Sequence, residues 1–312
     1  MALSIFHILI FPGFLFLATY ALIFEFWDRR IYARLQNRQG PPWFQPTADF
    51  IKLMGKETIV PNDADKSVFK ALPIFAFAAV NTAFLYIPVW GVDSLYYFGG
   101  DLIVVLYLLT IPTLTFFLAG WFSTSVFATI GSIRAMTQLF SYEVPLFMAL
   151  LAPAILADTW SISGIAQFYW QHPLYILINI PAFVVAIISI QGKLERVPFD
   201  LPEAETEIVA GTFTEYSGHH LALFRMSIAV ELVVVSALVA AIFFPVFSVN
   251  PVLGFVIFVI KTFIVLFILT LIKSVMARIR IEQMIMFCWK VLAPIALAQI
   301  LANILLKGVL PL

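Results

Sequence analysis

Charge is scarce in this sequence: 12% of its 312 residues are Asp, Glu, Lys or Arg, against about 25% in a soluble domain. Cysteine is scarcer still. Cys288 stands alone, so no internal disulfide can close, and the chain by itself cannot hold an iron–sulfur cluster, which draws on about four thiolates. The histidines are His7, His172, His219 and His220, and their spacing matches no haem or zinc pattern. The adjacent pair His219–His220 would point two ways on a helix and reads as a loop pair. The formal net charge is zero, which lacks the basic footprint of a nucleic-acid partner. What fills the space is apolar: 62% of the residues, 32 of them Phe, with a mean hydropathy of +1.00. A soluble protein of this size must cover itself with polar groups, so lipid is the expected solvent. The first apolar stretch has no basic region before Ser4 and is followed by basic residues, which is the reverse of a cleaved signal peptide.

A bilayer core of about 30 Å needs about 20 apolar residues per helix. Eight stretches qualify, at 4–26, 71–91, 101–122, 141–158, 173–191, 221–245, 251–272 and 288–308. The fourth is short and carries Pro145 and Pro153, which membrane helices tolerate. The expected fold is therefore all-α, a polytopic integral membrane protein of about eight spans forming one domain over 1–312. Basic residues alternate between the loops. The first holds Arg29, Arg30, Arg34, Arg38, Lys52, Lys56, Lys66 and Lys70, the third Arg134, the fifth Lys193 and Arg196, and the seventh Lys273, Arg278 and Arg280; the others hold none. The positive-inside rule then places loops one, three, five and seven in the cytoplasm and both termini outside, in the cell membrane.

The polar chemistry follows the same division. In the first loop Gly40, Pro41, Pro42 and Pro46 forbid a continuous helix, and 49–57 is expected as a short surface helix, either a headgroup anchor or a basic docking surface. Glu143 stands where the fourth span is expected to begin. It is either a charge favoured by the helix dipole or an acid at membrane depth, where ionisable groups are costly and functional. The fifth loop is the richest in acids. Asp200 reads as an N-cap with Pro202 in the first turn, which would put Glu203 and Glu207 on one helical face and Glu205 on another. Like charges at that spacing repel, and burial would raise their proton affinity further; the alternative is a solvated acidic surface helix. Within the spans, Lys261 is expected too deep to snorkel and to need an acid such as Glu231, as an interhelical ion pair or as a charge that responds to nearby protonation.

Three runs carry a resemblance: Arg34 to Glu57, Gly131 to Val144 (GSIRAMTQLFSYEV) and Glu195 to Gly218 (ERVPFDLPEAETEIVAGTFTEYSG). They are similar, in order, to the signature loops of the complex I subunit 1 family, and Arg278-Ile-Arg-Ile-Glu-Gln with Trp289, Lys290 and Pro294 resembles that family's last inner loop. The family divides into quinone-reducing complex I and quinone-free relatives in energy-converting [NiFe] hydrogenases, formate hydrogenlyases and archaeal sulfur-metabolising complexes. Three features resemble the second branch. Only three residues separate Gly40-Pro41 from Gln45-Pro46, Ala222-Leu-Phe is followed by Arg225 rather than by the family's sixth-helix acid, and Ser274 to Arg280 is hydrogenase-like.

The resemblance implies a membrane anchor and ion-coupling subunit of a ferredoxin-linked membrane-bound hydrogenase-type complex, not catalytic on its own. It implies that Glu143, Asp200, Glu203, Glu205, Glu207 and Glu215, with Lys261 and the nearby Glu231, form a lateral chain of protonatable groups. Arg34, Arg38, Asp49 and Lys52, joined by Arg134, Arg196, Arg278 and Arg280, would meet the peripheral arm. Cofactors are expected only in partners: iron–sulfur clusters and a NiFe centre in hydrogenase-like large and small subunits, with antiporter-like subunits in the membrane. A quinone-reducing complex I subunit, a sulfur-reducing complex and a stand-alone ion transporter are the alternatives.

Overall fold

The computed structural model describes residues 2–203, 205–248 and 250–309, with side chains for all of these except 2–4, 205, 206 and 309. Helices account for most of the described backbone, and no strand occurs among the described residues. In chain order the helices are α1 (Ala2–Leu9), α2 (Phe14–Leu35), α3 (Gln45–Met54), α4 (Lys66–Phe84), α5 (Asp101–Phe122), α6 (Val126–Ala157), α7 (Ile162–Gln171), α8 (Ile180–Lys193, led in by a 3₁₀ turn Pro173–Asn179), α9 (Glu205–Ile208), α10 (Gly218–Phe243), α11 (Pro251–Val275), α12 (Ile281–Phe287) and α13 (Ala293–Val309). A π-helical turn, Cys288–Leu292, joins α12 to α13. Eight stretches are long and apolar enough to cross a bilayer: Ile5–Leu35, Lys66–Phe84, Asp101–Phe122, Val126–Ala157, Pro173–Lys193, Gly218–Phe243, Pro251–Val275 and Ile281–Gly308.

All eight expected spans are present, with one boundary far off. The fourth begins at Val126, not at 141, because the run Gly131 to Val144 is helix rather than loop. Its hydroxyls bond back along the helix, Ser132 to the Ala128 carbonyl (2.7 Å) and Ser141 to that of Thr137 (2.7 Å), instead of capping an end. Glu143 is therefore in mid-helix, so a helix N-terminus cannot account for its charge. The first-loop helix is α3, beginning four residues before the expected Asp49 with Pro46 in its first turn. The pair His219–His220 opens α10 instead of lying in a loop; Thr58 Oγ1 and His219 Nδ1 are 2.6 Å apart, and His220 meets the Phe69 ring edge-on.

The bundle is organised around α10. Of its residues only His219, Leu221, Leu223, Arg225 and Ile228 escape burial, as expected of a helix that is apolar on all sides. Helices α2, α3, α4 and α11 pack against it, while α6 joins α5, α8 and α13. Alternation of the spans puts the segments 36–65, 123–125, 194–217 and 276–280 on one face, here the charged face. Two glycines seat the fifth loop there. Gly131 lets the backbone of Gly211 and Thr212 approach so closely that a Cβ would lie 2.7 Å from the Thr212 nitrogen. Gly218 takes φ +58 against the carbonyls of Lys56 and Glu57, a conformation costly for a residue with a Cβ. Tyr216 completes the anchor, stacked on Phe69 at 3.9 Å between ring centres.

Candidate functional site

Beneath the charged face lies a cavity of ≈ 370 Å³ lined by Glu25, Asp28, Arg29, Leu194, Glu195, Arg196, Val197, Asp200, Glu203, Arg225, Ile228, Ala229, Leu232 and Lys273. Nine of those fourteen residues are charged. They come from the end of α2, the fifth loop, α10 between Arg225 and Leu232, and the end of α11, so the cavity exists only once these elements are assembled.

Ion pairs divide its walls. Asp28, buried on α2, pairs with Arg196 and with Lys273 (3.5 Å), and accepts from Thr270 Oγ1 at 2.6 Å. Arg29 bridges Glu25 and Asp49 (2.8 Å), and Gln45 also donates to Asp49 (2.8 Å). These donors hold the Asp49 carboxyl below the ordinary carboxylate range, the Arg29 hydrogen bond most of all. Arg225 pairs with Glu203 at 3.1 Å. Asp49 and Arg196, expected to face a docked arm, are thus engaged internally. Arg34, Arg38 and Lys52 remain exposed on the charged face.

Glu195 has no such partner. Its Oε1 is buried and accepts no hydrogen bond. Burial pushes its carboxyl well above the usual range, and the charges of Glu203, Glu231 and Asp200 push the same way, against a smaller opposing pull from Lys193. The backbone fixes where it points. α8 ends in a Schellman turn: Glu195 N–H bonds to the Gly192 carbonyl (3.1 Å) and Arg196 N–H to that of Gln191 (3.1 Å). The left-handed residue of such a turn is ordinarily glycine, yet here it is Glu195 at φ +50, at a cost of about 1–2 kcal/mol. Side-chain amides secure the same helix end, Gln138 on the Gly192 carbonyl (2.7 Å) and Gln191 on that of Val197 (2.7 Å).

One turn inward, Lys193 and Glu231 form an ion pair of 2.8 Å with both side chains almost wholly buried, 3% and 2% exposed. Lys193 also donates to the Leu109 carbonyl on α5, the helix that carries Pro112. Lys193 lines, together with Glu143 and Tyr142, a narrow pocket of ≈ 10 Å³, the space of about one water. A carboxylate–ammonium–carboxylate succession thus leads from the cavity wall at Glu195 into the bundle at Glu143.

Several expectations need correction. Lys261 does not meet Glu231; its ammonium donates to the Phe244 carbonyl just past the end of α10 (3.1 Å), which also accepts from the Val246 N–H (2.7 Å), and lies 4.2 Å from the Phe247 ring centre. A flexible stem carries the charge to the helix end, which is what snorkelling means. Glu203 and Glu207 do not share a helical face, because α9 begins only at Glu205. Glu203 turns to the cavity, whereas Glu207 is exposed and pairs with Arg134 at 2.7 Å. That guanidinium holds the Glu207 carboxyl below its ordinary range rather than raising it. The side chain of Glu205 lies outside the described residues. Glu215 follows the 3₁₀ turn Gly211–Phe213 and is not among the residues lining the cavity. Sequence reading passes over Glu195 and Lys193 as site residues, since nothing in the order of residues tells which way a helix end turns.

The family model described as NADH dehydrogenase matches residues 7–304. The chain belongs to the NADH dehydrogenase subunit 1 family. It is 34% identical to the H subunit of the NADH-quinone oxidoreductase of Frankia casuarinae, over 94% of its own length and 70% of that protein's. With the corresponding NADH-quinone oxidoreductase chain of Brevibacillus brevis the identity is 35%, over 91% of this chain and 86% of that one. Among solved structures, a chain of the membrane-bound sulfane sulfur reductase, an archaeal respiratory membrane complex, superposes with a TM-score of 0.84 at 27% identity, covering 93% of this chain and 96% of that one. The protein is accordingly a multi-pass membrane subunit of a complex I-like oxidoreductase, the kind of chain that works with partner subunits.

Proposed function

We propose that this chain is the ion-coupling subunit of a quinone-independent, ferredoxin-linked membrane complex of the hydrogenase type, with loops one, three, five and seven in the cytoplasm. The observation that carries the reading is Glu195: a carboxyl on the cavity wall with one oxygen buried and unpaired, next to the Lys193–Glu231 pair and, through Lys193, to Glu143. A carboxyl held in that setting takes up and releases a proton nearer neutrality than a solvated one.

Peripheral hydrogenase-like large and small subunits, holding iron–sulfur clusters and a NiFe centre, would dock over the exposed Arg34, Arg38 and Lys52. Reduction of a cluster above the cavity adds negative charge there and favours protonation of Glu195. Reoxidation releases the proton to the Glu231 carboxylate, and the Lys193 ammonium, its partner neutralised, exchanges Glu231 for Glu143. Antiporter-like subunits beyond Glu143 receive that change as ion movement, H⁺ or Na⁺. The chain itself performs no redox step.

The short first loop, with only three residues between Gly40-Pro41 and Gln45-Pro46, supports the quinone-free branch, since little chain is left to wall a cavity for a long apolar tail. The likeness to the sulfane sulfur reductase chain favours a second reading of the same coupling role, with sulfur compounds instead of protons as terminal acceptor. Replacement of Glu195 by Gln, and of Glu143 by Gln, should abolish redox-driven ion uptake into vesicles carrying the whole complex while dye-linked electron transfer persists. Undiminished uptake in both variants would remove the reading. The metal content of the co-purified large subunit decides between protons and sulfur compounds as acceptor, and a quinone-dependent rate would reinstate the complex I alternative.

A further inference from the structure

Ile279, in the turn between α11 and α12, borders two depressions of opposite character. On one side is a pocket of ≈ 330 Å³ lined by Arg134, Glu207, Arg278 and Arg280 with three apolar residues. Arg134 and Glu207 neutralise each other. Arg278 and Arg280 form no ion pair among the described residues, and Nη2 of Arg278 is buried without an acceptor. On the other side a groove of ≈ 740 Å³ opens, apolar apart from Gln191 and Gln283.

The groove has a direction. One wall is Val184, Ile188 and their neighbours on α8; the other is Ile268 and Ile272, one turn apart along α11, with Met276 just past its end; Phe287 of α12 helps close it. It therefore runs parallel to the helices, inward from the charged face. From Gln191 to Phe183 it descends eight residues of helix, about 12 Å at 1.5 Å per residue. That is less than half of the about 30 Å hydrocarbon core. A transmembrane helix of a neighbouring subunit would need a track through the whole thickness. One chain of a lipid in the leaflet on the charged side needs only this depth. A free phosphate would account for the arginines and leave the groove unexplained.

The geometry points to a structural site for an anionic membrane lipid: its phosphate between Arg278 and Arg280, and one hydrocarbon chain in the groove between α8 and α11. This gives the two arginines a membrane ligand in place of the expected docked arm. Because the groove is walled by α8, whose end carries Lys193 and Glu195, an occupying chain would brace the helix that positions the coupling residues.

The test uses the whole complex in nanodiscs of phosphatidylcholine with a minority of phosphatidylglycerol, and counts retained lipid by native mass spectrometry. The unaltered complex should keep one phosphatidylglycerol per copy of this chain against excess phosphatidylcholine. The double variant R278Q/R280Q should retain it about ten- to thirty-fold less, from about one surface-charge increment per arginine, while R278K/R280K keeps it. Val184→Trp, at an exposed position on the groove wall, should expel the lipid, and Ile264→Trp, exposed but outside the groove, should not. Equal retention of the two lipids by the unaltered complex would overturn the proposal, whether or not the variants assemble. So would retention by R278Q/R280Q or by Val184→Trp, or a photo-crosslinker at position 184 that captures a partner helix in place of lipid.

Discussion

The two ends of the bundle bury polar groups in opposite ways. Away from the charged face the groups are neutral or fully satisfied. Asn303 donates to the Ala152 carbonyl (2.7 Å) and to Asn179 (2.8 Å), Gln299 donates to Asn303 (2.9 Å), and Asn179 donates to Tyr169, whose hydroxyl donates to the Pro153 carbonyl (3.0 Å). The network supplies partners where Pro153 and the 3₁₀ lead into α8 interrupt regular helix. Asp101, wholly buried, receives the Ile162 N–H at 2.7 Å and clamps α7 to α5. Toward the charged face the ionisable groups Asp28, Lys193 and Glu231 are buried beside amides such as Gln138 and Gln191, and Glu195 and Arg278 each leave a polar atom unsatisfied. Satisfied amides lock one arrangement, whereas orphaned acids cost stability in any arrangement and are retained where protonation is used.

The greatest loss should come from breaking the deepest charge pair. Lys193→Met leaves Glu231 buried and unpaired, at a cost of about 3–5 kcal/mol. Thermal inactivation of the assembled complex should show the loss, and K193M/E231L should recover most of it. If the double variant recovers stability without recovering ion uptake, the pair serves coupling rather than folding, unlike the amides at the far end.

Eight spans and the segregation of charge can be read from apolar run length and basic-residue alternation, since both are local properties of the sequence. The glutamines and asparagines that close the bundle cannot: Gln138 meets Gly192 and Asn303 meets Ala152 across more than fifty residues of chain. The acidic loop reads as one helix because Asp200, Pro202 and Glu203 form a plausible capping pattern. Tertiary contact overrides it where Gly211 settles on Gly131, with Glu203 drawn toward Arg225 and Glu207 toward Arg134. Depth alone matches Lys261 to Glu231, though the nearer ammonium is Lys193, at a helix end that reads as loop.

A middle-sized effect belongs to the neutral network. Asn303→Leu removes the side-chain donor to the Ala152 carbonyl and the nearer donor to Asn179 Oδ1, which keeps only Gln299 at 3.5 Å, and this should cost about 1–3 kcal/mol, seen as earlier thermal inactivation. Ions moved per electron in the surviving complex should be unchanged. A lower ratio would erase the distinction between the two ends.

Glu195 probes the same distinction through pH. Its folded carboxyl keeps its proton to higher pH than the unfolded chain does, so the folded state binds more protons between the two and stability falls as pH rises through that window. Glu195→Gln removes the slope and should make the complex more resistant to mild alkali. Glu195→Gly also relieves the left-handed backbone, so it should be at least as stable as the Gln variant, and both should be uncoupled. A glycine variant that still moves ions would show that the turn matters and the carboxyl does not.

The weakest response is expected at Glu207. Its carboxylate is exposed and its bond to Arg134 is in water, where such pairs contribute little. Its proton affinity is lowered by Arg134, so whatever stability it lends is present at neutral pH and is lost only on acidification through its folded-state range. Glu207→Gln should therefore leave redox-driven ion uptake and neutral-pH stability near the unaltered values, while Glu203→Gln, on the cavity wall, reduces uptake. The two acids come from one run of sequence that reads as a single acidic face. Equal impairment in both variants would mean that the charged face and the cavity form one titrating unit, and that the division between Arg134 and Arg225 as separate partners has no functional meaning.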